Sequence, residues 1–72
     1  MSERSGEGTA SLEKALDVLD AVGRSRDGIG QAELTVRLGL PRTTLYRMLG
    51  TLVDRQLLRR DPLRRVYCLG MR

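Results

Sequence analysis

Three helices followed by a two-stranded hairpin, a mainly α fold with a small β-hairpin, is the architecture this sequence predicts. Three observations predict it. Apolar residues recur at helical spacing in two separate stretches, residues 12–22 and 45–52. Between them, Gly39 and Pro41 punctuate residues 31–52 as helix, turn, helix. After them, Asp61-Pro62 separates two short apolar-rich runs, as a hairpin turn does.

The first ten residues, MSERSGEGTA, are small and polar, lack periodicity and are expected to form a disordered tail. Only Arg4 is basic there, too little for an arm reaching into a minor groove. Ser11 then fits an N-cap, with Glu13 favouring the helix dipole in the first turn. Leu12, Ala15, Leu16, Leu19 and Val22 follow the i, i+3, i+4, i+7, i+10 pattern, so a helix over about 11–22 should bury that stripe. Its other face, with Glu13, Lys14, Asp17 and Asp20, is mostly acidic and suits scaffolding or a dimer contact rather than a polyanion. Gly23 should end it, and residues 24–28 read as a polar loop. Ile29 is placed to bridge to a later strand, and Gly30 sits where an N-cap belongs without offering a side-chain acceptor.

A second helix is expected over 31–38. Gly39 fits the residue after its end, where a positive φ is often needed. Pro41 fits the first position of a third helix over 41–55, where its missing N–H is no loss. From Gln31 to Gly50 the chain therefore has the form of a helix-turn-helix motif. Along the third helix, Leu45, Met48, Leu49 and Leu52 form a core-facing stripe with Val53 at its edge. The opposite face carries Thr43, Tyr46, Arg47 and Gly50, with Arg42 beside it in the first turn and no acid until Asp54. Solvated surface arginines would look the same in isolation. The preceding helix and Gly turn favour a helix that offers donors to phosphates and base edges.

Beyond it, residues 57–60 and 65–70 are the two arms of a hairpin over about 57–69, with Arg64 and Arg65 at the tip and Arg59 and Arg60 just before. A basic hairpin beside such a helix is a wing, and the whole is a winged helix-turn-helix of three helices plus a two-stranded wing. By alternation Tyr67 should face the core and Cys68 outward.

Composition narrows the function classes. Of 72 residues, 40% are apolar and 3% aromatic, with no Phe or Trp, so the core must be aliphatic. With no His and a single cysteine, Cys68, neither an intrachain disulfide nor a structural zinc site is expected, and no cofactor either. Cys68 reads as a small filler on a strand, since no partnering base or second thiol is visible. No apolar run approaches a membrane span and the N-terminus is no signal peptide, which points to the cytoplasm. The net charge of +4 is unevenly placed: residues 1–36 hold four bases against seven acids (−3), and residues 37–72 hold nine, all Arg, against two (+7). Such gathering on the third helix and wing points at a polyanion. An enzyme is disfavoured, there being no His, no Gly-rich phosphate loop and little volume for a pocket.

The runs S-L-E-K-A-L-D-V-L-D, A-E-L-T-V-R-L-G-L-P-R-T-T-L-Y-R-M-L-G-T-L-V-D-R, L-L-R-R-D-P and Y-C-L-G together resemble the N-terminal domain of the IclR family of bacterial transcription regulators, over about residues 11–70. The resemblance implies a winged helix-turn-helix that binds double-stranded DNA, its contacts falling at Arg42, Thr43, Thr44, Tyr46 and Arg47 and, on the wing, at Arg64 and Arg65. It also implies homodimers or tetramers on pseudo-palindromic operators. A linker, beginning at residues 71–72, would lead to an effector-binding domain, so the chain is expected to be a piece of a longer regulator. Three positions depart from the family pattern. Gln56 stands where a Gly usually closes the third helix, Gly50 replaces a usual Ala, and Leu63-Arg64-Arg65 replaces the usual Gly of the wing tip. The other class of function open to this surface is a winged-helix module docking an acidic protein partner.

Overall fold

The computed structural model describes residues 9–70. The first eight residues of the expected tail, and the expected linker start at 71–72, lie outside the described residues. The elements are α1 (Ala10–Gly23), α2 (Gln31–Leu38), α3 (Arg42–Asp54), β1 (Leu58–Asp61) and β2 (Val66–Leu69). The strands form one antiparallel ladder pairing Leu58 with Leu69, Arg59 with Cys68, Arg60 with Tyr67 and Asp61 with Val66. This is a winged helix-turn-helix.

Helix boundaries depart from the sequence reading by a residue or two. The cap position of α1 is Thr9, whose carbonyl accepts the Glu13 N–H at 2.9 Å, so Ser11 lies inside the helix rather than capping it. Ala10, the best helix former, extends the helix into the expected tail. Pro41 is the cap of α3, not its first helical residue: its extended ψ of 144° precedes the helix while its carbonyl accepts the Leu45 N–H. Gly30 caps α2 without a side-chain bond, and Gly39 follows it at φ 68°, its N–H bonded to the Thr35 carbonyl at 2.9 Å.

The core is aliphatic apart from Tyr67. Val18, Ala21 and Val22 of α1 meet Leu34 of α2, Leu45, Leu49 and Leu52 of α3, and Ile29, Leu40, Leu58 and Tyr67. The expected stripe of α1 holds in its second half, where Val22 is buried and Leu19 packs on the core, and is corrected in its first. Leu12 and Leu16 are 56% and 53% exposed, and Val18 is buried instead. The body formed by the other elements covers only the C-terminal half of α1, and its line of contact runs through Val18 and Ala21. Tyr67 is buried as alternation predicts, and Ile29 bridges it with two hydrogen bonds of 3.1 and 2.8 Å. Cys68 is half-buried rather than outward, because the α1–α2 loop lies over it: a Cβ at Gly28 would stand 3.0 Å from its Sγ.

Candidate nucleic-acid interface

Burial of Leu45, Leu49 and Leu52 decides which way α3 faces. Each is at most 6% exposed, so the stripe they share is pinned to the core. Thr43, Tyr46, Arg47 and Gly50, at the complementary helical positions, are consequently exposed, and so is Arg42. Tyr46 is 64% exposed, which settles that its ring is not a core aromatic. Gly50 has open space where a Cβ would be, so the centre of this face is flat.

Three open grooves map what surrounds that face. Gln31, Ala32, Thr35 and Arg42 line one, and Gln31, Arg42, Thr43 and Tyr46 line the next. A third, of about 600 Å³, runs between the N-terminal turn of α2, Tyr46 and the wing, where Arg60, Arg65 and Tyr67 close it. Tyr46 lies on two of them, so α3 and the wing present one continuous surface. No carboxylate lines any of the three. Among the described residues, Arg42, Arg47, Arg60 and Arg65 make no ion pair, leaving their guanidinium groups to solvent.

Thr44 and Arg47 stand at the edge of that face nearest α1 and border a separate groove. With Met48, Thr51 and Leu52 they face Ser11, Leu12 and Ala15 of α1, and Thr44 is half-buried there. At the wing tip the two expected arginines diverge. Arg65 adopts φ 57° and lines the groove beside Tyr46. Arg64 turns to the protein: its Nε is 3.5 Å from Asp61 Oδ2, and its Nη2 donates to the Asp27 carbonyl.

Gln31, Ala32 and Thr35 line the grooves without having been singled out from the sequence, and Arg60, noted there only as a basic residue before the tip, lines one as well. A signal for Arg60 was present. Once Asp61-Pro62 sets the turn, Arg60 pairs with Tyr67 and so shares its face of the ladder. Gln31 had no such signal, since only the packing of α2 against α3 brings it beside Arg42.

Residues 11–62 match the family model described as the IclR helix-turn-helix domain. Among solved structures, an IclR family transcriptional regulator from Brucella abortus is similar, with a TM-score of 0.80 and 30% sequence identity. The match covers 93% of this chain and 26% of that one, so the chain spans about a quarter of that regulator's length. No curated relative matches the chain. No helix among the described residues is long and apolar enough to cross a membrane.

Proposed function

The chain belongs to the IclR family, as the DNA-binding helix-turn-helix domain of a transcription regulator, and from that premise we propose that it reads double-stranded DNA sequence-specifically through α3 and the wing and is no enzyme. Arg42, Tyr46 and Arg47 reach base edges in the major groove. Thr43 and Thr44 at the start of α3 offer hydroxyls to phosphate, and Arg65, with Arg64 beside it, brings the wing to the backbone or minor groove. The protein acts as a homodimer on a pseudo-palindromic operator in the cytoplasm. A single copy binds weakly, because two half-sites about 34–36 Å apart supply the specificity. A small-molecule effector is received by a further domain.

One observation carries this reading: Tyr46 joins the groove of Arg42 and Thr43 to the groove of Arg60 and Arg65, with no carboxylate in either lining. Arginine is suited to both tasks, since its fork grips phosphate and guanine alike. Titration with random duplex at low and then higher salt tests it. Steeply salt-dependent binding is expected. Its absence would leave the surface to an acidic protein partner. Arg47→Ala is expected to cost about 1–3 kcal/mol of discrimination between operator and random duplex.

A further inference from the structure

Of the wing's four arginines, Arg59, Arg60, Arg64 and Arg65, only Arg64 is engaged among the described residues. Its guanidinium spans Asp61 Oδ2, at 3.5 Å, and the Asp27 carbonyl, 37 residues earlier in the chain. Asp61 is itself held in place. Its Oδ1 accepts the N–H groups of Leu63 at 3.0 Å and Arg64 at 3.2 Å, and its carbonyl accepts the Arg65 N–H at 2.7 Å. The tip is thus a tight turn organised by one carboxylate, and Arg64 ties that turn to the α1–α2 loop. The base of the wing is joined to the same loop by the Ile29–Tyr67 bridge. Held at both points, the wing sets Arg60 and Arg65 in the groove beside Tyr46.

We propose that Arg64 is a positioning residue, and that Arg60 and Arg65 are the wing arginines that take the duplex backbone. This rests on the DNA-binding reading above. A bidentate fork is what the bridge between Asp61 and Asp27 needs, and lysine lacks it, whereas a simple charge contact to phosphate survives the exchange to lysine.

Binding of the 72-residue chain to a fluorescent random duplex, followed over a series of salt concentrations, separates the two roles. Arg60→Ala and Arg65→Ala should each flatten the slope of log K against log salt by about one unit. Arg64→Lys should keep the slope and weaken binding about two- to fivefold, the range an exposed ion pair can transmit. Asp61→Asn is the sharper variant. It keeps an Oδ1 acceptor for the turn, loosens Arg64 and removes a negative charge near the duplex. Charge alone would tighten binding, whereas loss of positioning weakens it. Melting curves recorded in parallel should be nearly unchanged for both variants. Tighter binding by Asp61→Asn, or unaltered binding by Arg64→Lys, overturns the inference while leaving the DNA-binding reading intact. A parent chain that shows no salt-dependent binding overturns both.

Discussion

Gln56 sits at φ 65°, in the left-handed region that closes helices and that glycine enters without strain. The surrounding hydrogen bonds explain why it is held there. The Leu57 N–H bonds the Leu52 carbonyl and the Gln56 N–H bonds the Val53 carbonyl, both at 2.9 Å, a Schellman closure of α3. Leu57 then packs on the core, so the closure is fixed from both sides. Replacing Gln56 by Gly should stabilise the domain by about 1 kcal/mol, read as a higher urea midpoint at unchanged slope. Gly50 presents the converse case. It lies mid-helix with open space around it, so Gly50→Ala should add about 1 kcal/mol of stability. Because the new methyl stands on the face proposed to approach DNA, the same variant should bind duplex more weakly in a parallel titration. Both positions were legible as departures from a family pattern. The left-handed φ of Arg65 was not, because it follows from the turn that Asp61 organises rather than from any local preference of arginine.

Elements differ in how much of them local sequence specifies. The pair α2 and α3 is punctuated by Gly39 and Pro41, and the period of Leu45, Leu49 and Leu52 lies within one helix, so the motif and its outward face could be read directly. For α1 the period was visible and its second half, Leu19 and Val22, packs on the core as read, but the exposure of Leu12 and Leu16 was not visible. Which leucines a neighbour covers depends on how far the rest of the body reaches, and it stops short of Leu12 and Leu16. The wing was legible as a basic hairpin, yet the division between Arg64 and Arg65 depends on a carbonyl in the α1–α2 loop. That loop meets the wing closely. Gly28 has φ 92°, and a Cβ there would stand 2.6 Å from Val66 Cγ2. Gly28→Ala should therefore destabilise the domain by about 1–3 kcal/mol and loosen the wing first. Faster exchange of the Ile29 and Tyr67 amide protons, ahead of those in α3, would report it.

On the scale of the whole molecule, eleven buried side chains among the described residues form one core, and no buried polar residue is among them. A domain of 72 residues is expected to hold about 4–11 kcal/mol of stability. Truncating a fully buried leucine such as Leu49 to Ala costs about 2–5 kcal/mol, a large share of that stability. A thermal midpoint lowered by roughly 4–8 °C per kcal/mol is the expected result. The charge asymmetry also acts at this scale. The acidic residues Glu13, Asp17 and Asp20 are exposed on α1, Asp20 paired with Arg24, while the arginines unpaired among the described residues gather around Tyr46 on α3 and the wing. A polyanion is thus drawn to one side of the domain and repelled from the other. Mapping amide chemical shifts of the 72-residue chain during titration with duplex DNA at low salt tests this most directly. Perturbations are expected along residues 42–50 and at Arg60 and Arg65, with Glu13, Asp17 and Asp20 unmoved. Shifts confined to α1, or none at all, would contradict it.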